Sequence, residues 1–217
     1  MIHVGLPKTG TKYLQSALSL NREALLQQGI YYPKTGASSN DINHPWITGA
    51  LLGDDSSLAR LESELKLGSS QNLILLSHEG VTNQLYRISR SESDRFRKLT
   101  RSMNISIFLC LRKPDTWLRS YWGQCLINPP TDHRYASNHS PDELAKLPSV
   151  KILLDKEALI ERLSFMINPL CIRTSLWEDE KIFSDLCLML GINPKSLIMQ
   201  PMQKNRSLPR KHLELIQ

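Results

Sequence analysis

Residues 3–14 read His3-Val4-Gly5-Leu6-Pro7-Lys8-Thr9-Gly10-Thr11-Lys12-Tyr13-Leu14, and they carry the strongest structural signal in the chain. An apolar strand leads into a turn with two glycines and a lysine, and a segment of helical period follows. Glycines let successive N–H groups point into one concavity, and a helix start adds unpaired N–H donors and a partial positive charge. Lys8 adds a full charge, and Thr9 and Thr11 add hydroxyl donors. The segment predicts a turn that holds a phosphate-like anion, with an ordinary glycine-containing turn as the alternative.

The turn differs from the loop that binds nucleoside triphosphates, G-x-x-x-x-G-K-[ST]. Gly5 and Gly10 have the required separation, but Thr11 and Lys12 follow in the reverse order. The lysine that holds the β- and γ-phosphates and the hydroxyl that binds Mg²⁺ are therefore missing from their places, and the lysine lies inside the loop at Lys8. We expect a phosphate-binding turn without a metal ligand.

Outward from this turn, apolar runs alternate with helical patterns. The runs that predict buried strands are Ile2–Gly5, 72–77, 105–111 and 170–174. The helices are predicted over 11–28, 91–103, 155–168 and 178–190, the second with Phe96, Leu99 and Met103 facing inward. Alternation of this kind is typical of a parallel sheet. We expect an α/β fold of three layers, a mostly parallel central sheet with helices on both faces, in a single domain over 1–217. Residues 33–55 and 128–149 are predicted to be long loops, either binding loops or surface insertions.

Composition agrees with one globular domain. The chain has 217 residues, a formal net charge of +6, 41% hydrophobic and 22% charged residues, which excludes disordered, collagenous and coiled-coil classes. No apolar run approaches the ~20 residues of a membrane span, and the first residues lack the apolar core of a signal peptide, so a cytoplasmic location is expected. The cysteines are far apart and predict reduced, buried thiols rather than a metal site or disulfides: Cys110, Cys125, Cys171 and Cys187.

A second basic element follows the third predicted strand. Arg112 lies at the carboxyl end of that strand, Pro114 suits the first turn of a helix, and Ser120 falls within its second turn. A guanidinium binds phosphate oxygens two at a time, so Arg112 with the Ser120 hydroxyl suits a phosphate monoester. Taken alone, a segment of this kind is more often a capped helix with a surface arginine.

Together the two elements resemble the sulfotransferases that use 3′-phosphoadenosine 5′-phosphosulfate (PAPS). In that family a P-K-T/S-G-T-T/S loop holds the 5′-phosphosulfate, and an arginine followed eight residues later by serine and then tyrosine holds the 3′-phosphate. The matching residues here are Pro7-Lys8-Thr9-Gly10-Thr11 and Arg112 with Ser120-Tyr121. Further stretches look like the small bacterial branch of the family, in the same order: Gly29-Ile30-Tyr31-Tyr32-Pro33, Leu76-Ser77-His78-Glu79, Trp177-Glu178 and Leu190-Gly191-Ile192. Lys12 departs from the pattern, because the family usually has Thr or Ser there, although a lysine can still meet a phosphate or sulfate.

The resemblance implies a P-loop-like sulfotransferase fold and a transfer of the sulfuryl group from PAPS to a hydroxyl acceptor, on a carbohydrate or glycolipid, with no metal and no nucleic-acid partner. Relatives usually continue beyond Gln217, so we expect a C-terminus that is truncated. The oligomeric state stays open.

Catalytic roles follow from the same comparison. Lys8 is expected to stabilise the charge on the leaving phosphate oxygen, and Glu79, at the end of the second predicted strand, is expected to accept the proton of the acceptor hydroxyl. His78 is the alternative base, and neighbouring residues at a strand end point to opposite sides. A helix-capping or solvated role for Glu79 stays open. His44 and Gln124 are weaker candidates for acceptor contact.

Lesser roles are assigned to residues around these candidates. Trp117 and Tyr121 are expected to pack in the core, and Arg173 and Glu178 to form a structural pair.

Two other functions compete with sulfuryl transfer. A P-loop nucleotide-dependent kinase would bind ATP with Mg²⁺, using residues 73–79 as a degenerate metal-binding strand. A non-catalytic basic module would bind acidic polymers with a strongly salt-dependent affinity that survives loss of Lys8 and Glu79. A PAPS-dependent enzyme would instead bind without metal and prefer a 3′-phosphate.

Overall fold

The computed structural model describes residues 1–34, 42–128, 139–177 and 181–198, and all of its sheet strands run parallel. The strands are β1 (Ile2–Gly5), β2 (Ile30–Tyr31), β3 (Leu73–Ile74), β4 (Leu76–Ser77), β5 (Ser106–Leu111) and β6 (Cys171–Leu176). A central sheet has the order β4-β1-β5-β6, and β2 pairs with β3 separately. In this sheet β4 lies on one side of β1, and the next strand along the chain, β5, lies on the other side of β1. The carboxyl ends of β1 and β5 therefore form the switch point at which open α/β sheets bind ligands.

Helices fill the connections between the strands. They are α1 (Thr11–Leu20), α2 (Arg22–Gln27), α3 (Trp46–Leu51), α4 (Asp55–Leu67), α5 (Gly80–Gln84), α6 (Arg90–Leu99), α7 (Pro114–Ile127), α8 (Pro141–Lys146), α9 (Pro148–Leu154), α10 (Lys156–Ile167) and α11 (Ile182–Leu190). A 3₁₀ turn spans Pro194–Ser196. Within the described residues, no helix combines the length and apolar character that crossing a bilayer requires.

The central sheet carries a buried core on each face. Ile107 and Leu109 of β5 face a cluster that includes residues of α3 to α10, whereas Phe108 and Cys110 face a smaller cluster with α1 and α11. Alternate residues of β5 thus point to opposite cores, as a strand covered on both sides requires. The predicted α/β fold, with a mostly parallel sheet between two helical layers, is confirmed.

Several predicted elements are divided in the structure. The strand predicted over 72–77 becomes β3 and β4, because the N–H of Leu75 bonds to Tyr31 while the N–H of Leu76 bonds to Met1. The chain changes sheets at this point. The helix predicted over 11–28 breaks at Asn21, whose side chain donates to the carbonyls of Ala17 and Ile198 and accepts from the Ile198 N–H.

The long loops are partly helical. Helix α3 lies within 33–55. Its apolar residues Ile47, Ala50 and Leu51 are fully buried in the larger core, which stabilises the helix. Helices α8 and α9 occupy most of 141–154, each with proline in its first turn. Residues 35–41 and 129–138 lie outside the described residues.

Two predictions of burial are wrong. Met103 lies beyond the end of α6 and is 38% exposed, so it does not face the core. All four cysteines are free, as expected, but Cys171 is exposed because it begins the outer strand β6 of the sheet.

Candidate active site

The turn between β1 and α1 is shaped by its two glycines. A Cβ on Gly5 would lie 2.7 Å from Cγ2 of Thr11 and 2.9 Å from Cβ of Cys110, which leaves no room for a side chain. Gly10 has φ of +69°, and a Cβ there would overlap the indole ring of Trp177. Lys8 adopts φ of +66°, a left-handed conformation that is uncommon for a residue with a side chain. The backbone of this turn is therefore tightly determined by its surroundings.

Four successive carbonyl groups of the turn are tied down by side chains. The pairs are Thr82 Oγ1 to Gly5 O at 2.8 Å, Thr9 Oγ1 to Leu6 O at 2.6 Å, Trp117 Nε1 to Pro7 O at 2.8 Å, and Arg112 Nη1 to Lys8 O at 3.2 Å. These donors come from α5, the turn itself, α7 and the end of β5. With their carbonyl oxygens engaged, the peptide units of the turn are held in fixed orientations.

The N–H groups on the other side of the turn are available. Those of Lys8, Gly10, Thr11 and Lys12 donate no hydrogen bond to any residue that the structure describes. Helix α1 starts at Thr11 with no side-chain cap and no acidic residue in its first turn. Unpaired donors at a helix start, without a competing carboxylate, suit an anion.

The two threonines of the turn have different surroundings. The Thr9 hydroxyl already donates to Leu6 O and is fully buried, so it is committed to the turn rather than to a ligand. Thr11 is buried with its methyl group against Gly5. Lys12 is exposed at the start of α1. Binding of an anion by Lys8, Thr11, Lys12 and the backbone N–H groups stays a prediction.

Positive charge is concentrated at the turn. Partial burial lowers the pKa of Lys8, and the neighbouring charges of Arg112 and Lys12 lower it further. Three cations that repel one another in this way would be stabilised by an anion between them. The hydrogen bond from Arg112 to the Lys8 carbonyl shows that the two basic elements of the sequence meet at the switch point.

Ser120 lies in the second turn of α7 and is half-buried. Its hydroxyl forms no hydrogen bond with any described residue, Arg112 included. The prediction that these two side chains act together thus stays a prediction.

Glu79 lies two residues after the end of β4 and immediately before α5. Its Oε2 accepts a 2.7 Å hydrogen bond from Nε2 of Gln15 on α1. Thr82 Oγ1 contacts both Glu79 O, at 3.0 Å, and Gly5 O, at 2.8 Å, so the carboxylate residue lies beside the start of the turn. Glu79 is the residue that immediately precedes α5, yet its side chain forms no capping hydrogen bond, which argues against the capping alternative.

The buried side chain of His3 contacts two neighbouring polar side chains. Its Nδ1 is 2.7 Å from Ser77 Oγ and its Nε2 is 3.2 Å from Cys110 Sγ, so both ring nitrogens have partners. Complete burial lowers the pKa of His3 to about 4, despite the opposing charge of Glu79. His3 is therefore neutral at neutral pH.

The other predicted histidines have different surroundings. His44 is fully buried, with Nδ1 accepting from the Ser77 N–H at 2.8 Å and Nε2 3.0 Å from Pro33 O. Because both ring nitrogens are engaged with backbone groups, this geometry does not support the predicted acceptor contact and assigns His44 a structural role. His78 packs over Gly80, half-buried, next to Glu79. Gln124 is half-buried on α7, about one helical turn after Ser120.

Four residues of the site were missed by reasoning from the sequence: Gln15, Thr82, Trp117 as a donor, and Trp177. Trp117 does pack in the core, stacked on Tyr121 with ring centres 5.1 Å apart, but it also holds Pro7 O. A buried polar residue at helical spacing from the turn, such as Gln15, is a signal that could have been used. The predicted pair of Arg173 with Glu178 cannot be placed, since Glu178 lies outside the described residues.

Two depressions occur elsewhere on the surface of the described residues. Two cavities of about 370 and 680 Å³ border α6, and neither includes the turn or Glu79. The candidate site is instead defined by donor groups and charge at the switch point. No group of three metal-ligating side chains occurs among the described residues.

Comparisons with known proteins give little further information. No protein-family model and no curated protein matches this chain. Among solved structures, the chain is similar to a sulfotransferase from Alicyclobacillus acidocaldarius, with 16% sequence identity and a TM-score of 0.47, over 99% of this chain and 89% of that chain. At this level of similarity the likeness alone assigns no family or activity to the chain.

Proposed function

We propose that this protein is a sulfotransferase that moves the sulfuryl group of PAPS to a hydroxyl acceptor. The observation that carries the proposal is the meeting of Lys8 and Arg112 at the switch point, where Arg112 Nη1 donates to the Lys8 carbonyl. Two cations on neighbouring strand ends, beside free N–H groups at a helix start, suit a ligand that carries two anionic groups.

The chemistry assigned to the residues is a loose in-line displacement, in which positioning and charge stabilisation supply most of the rate. Lys8 would stabilise the negative charge that develops on the departing phosphate oxygen. Arg112, with Ser120, would bind the 3′-phosphate of the donor. Glu79 would accept the proton of the acceptor hydroxyl as the oxygen attacks sulfur.

Glu79 is the preferred base over His78. It lies beside the start of the turn through Thr82, and its carboxylate is already held by Gln15. A carboxylate in a fixed orientation can take a proton without first reorganising. The acceptor class, a carbohydrate or a glycolipid, rests on the sequence resemblance.

The kinase alternative is disfavoured by the order of residues in the turn. A kinase of the P-loop type needs lysine and then a hydroxyl after the second glycine. Here Thr11 follows Gly10 and places its methyl group against Gly5, and Lys12 is exposed. ATP binding that requires Mg²⁺ and exceeds the binding of 3′-phosphorylated nucleotides would favour that alternative.

Transfer assays test the proposal directly. Purified protein is incubated with ³⁵S-labelled PAPS and a panel of hydroxyl acceptors that includes monosaccharides, a glycolipid and a phenol. We expect labelled product with wild type, and at least a 100-fold lower rate for Lys8→Ala, since loss of one charge-stabilising donor costs about 3 kcal/mol. Lys151→Ala removes an exposed lysine on α9 and is the matched control. No product with any acceptor, or equal rates for the two variants, contradicts the proposal.

A further inference from the structure

Gln15 is a polar residue in an apolar environment. It lies on α1 between Leu14 and Leu18, and all three side chains are fully buried. Its Nε2 donates to Glu79 Oε2 at 2.7 Å. Its Oε1 is buried and has no hydrogen-bond donor among the described residues.

This arrangement is costly for the fold. A buried oxygen without a donor costs about 1–3 kcal/mol, and an apolar side chain of similar volume at this position would avoid the cost. Gln15 is therefore poorly explained as a residue that stabilises α1. Its one hydrogen bond, to Glu79, is the contact that accounts for its presence.

The hydrogen bond also fixes both of its partners. A carboxylate only accepts hydrogen bonds, so the amide nitrogen of Gln15 rather than its oxygen must face Glu79. The amide carries no ionisable proton and leaves the second carboxylate oxygen of Glu79 unoccupied by Gln15. The nearby His3 is engaged with Ser77 and Cys110, so its ring does not replace this donor.

We propose that Gln15 is a positioning residue, which holds Glu79 in the orientation that accepts the proton of the acceptor hydroxyl. The inference rests on the proposed sulfuryl transfer. In this proposal the turn and Arg112 bind the donor without help from Gln15, whereas the chemical step depends on Gln15.

Gln15→Met tests this role because methionine keeps the volume and removes the hydrogen bond. We expect kcat to fall about 10- to 100-fold with the KM for PAPS unchanged, and the midpoint of urea unfolding to stay equal or rise. Gln84→Met is the matched control: Gln84 is also buried, has an Oε1 without a donor among the described residues, and lies on α5 without a hydrogen bond to the Glu79 carboxylate. It should leave kcat unchanged.

A double-mutant cycle completes the test. In the Glu79→Gln background, Gln15→Met should cost less than threefold further in kcat, because Gln15 acts through Glu79. Wild-type kcat in Gln15→Met, or equal losses in both backgrounds, overturns the role of Gln15 while sulfuryl transfer stands. A fall in kcat together with a large loss of stability shows a structural role and also overturns it. Wild-type protein that transfers no label to any acceptor overturns both proposals.

Discussion

The binding turn depends on single side chains that are remote in sequence. The indole N–H of Trp117 reaches across 110 positions of sequence to the carbonyl of Pro7, at 2.8 Å. This bond orients the peptide group directly before Lys8. The position of the Lys8 ammonium group therefore depends on a residue that does not itself carry charge.

Trp117→Phe is predicted to separate this effect from core packing. It keeps most of the ring and removes the donor, which leaves Pro7 O unpaired, so unfolding free energy should fall by about 1–3 kcal/mol. Affinity for 3′-phosphoadenosine 5′-phosphate should fall about tenfold, equal to about 1.4 kcal/mol. Both quantities can be measured by urea unfolding and calorimetry.

Trp122→Phe is the control for that variant. Trp122 is also buried on α7 and donates its indole N–H to His139 O at 3.0 Å, away from the turn. It should lose similar stability and keep full affinity for the nucleotide. Equal losses of affinity in the two variants would show that the Trp117 bond has no special connection with the site.

At the scale of secondary-structure elements, two helices have a glycine with positive φ at one end. Helix α1 begins directly after Gly10, with φ of +69°, and α11 ends directly before Gly191, with φ of +70°. Both glycines adopt a left-handed conformation, but their surroundings differ. Gly10 lies against Trp177, whereas a Cβ on Gly191 would meet no described atom within 4 Å.

These two glycines form a matched pair for mutation. Gly191→Ala should lower the free energy of unfolding by about 1–2 kcal/mol, because alanine disfavours the left-handed backbone conformation. Gly10→Ala has the same backbone cost and must also displace Trp177, so its free energy of unfolding should be lower by at least a further ~1 kcal/mol. Gly10→Ala should also lose nucleotide binding. The urea midpoints of the two variants check the difference. Equal midpoints with intact binding in Gly10→Ala would show that Trp177 does not restrain the turn.

The elements that the sequence predicts well are those with a strong local pattern. Strand β5 and helix α10 match their predicted positions to within about two residues, because continuous apolar runs and a clear capping residue, Asp155, specify them. The division of 72–77 into two strands depends on hydrogen bonds to Tyr31 and Met1, which no local pattern contains. Helix α3 was missed because polar and turn-forming residues precede its short apolar core.

The candidate site follows the same rule. Lys8, Arg112 and Glu79 are predicted from the sequence because each follows an apolar strand, and parallel strands bring such residues to one edge. The partners that hold them, Gln15 and Trp117, come from other helices and became visible only in three dimensions. The surroundings of His44 could not be predicted for the same reason, because its partners are backbone groups of Ser77 and Pro33.

At the scale of the whole molecule, two buried histidines link separate parts of the chain. His3 joins β1 to Ser77 and Cys110, and His44 joins Ser77 to Pro33. Burial lowers the pKa of each from 6.5 to about 4. Between these values the unfolded chain binds protons that the folded protein excludes, so stability falls as pH decreases.

Acid sensitivity is therefore predicted in a defined range. From these two histidines, the free energy of unfolding should fall as the pH decreases from 6.5 to about 4, by up to about 3 kcal/mol for each histidine. Hydrogen bonds to nearby serines lower the pKa values of three carboxyl groups, those of Asp54, Glu92 and Glu143. These groups reduce the free energy of unfolding only at the acidic end of this pH range. Urea unfolding at pH 7.5, 6 and 5 checks the range. A constant midpoint over these three values would contradict neutral burial of His3 and His44.

The central claim is that Lys8 and Arg112 bind the two ends of one nucleotide, and calorimetric titration with 3′-phosphoadenosine 5′-phosphate without metal tests it most directly. Wild type should bind this nucleotide at least tenfold more tightly than adenosine 5′-phosphate. Arg112→Ala should remove the preference for the 3′-phosphate, while Arg101→Ala, at an exposed arginine beyond α6, should leave the preference intact. Equal affinity of wild type for both nucleotides, or an undiminished preference in Arg112→Ala, would contradict the account.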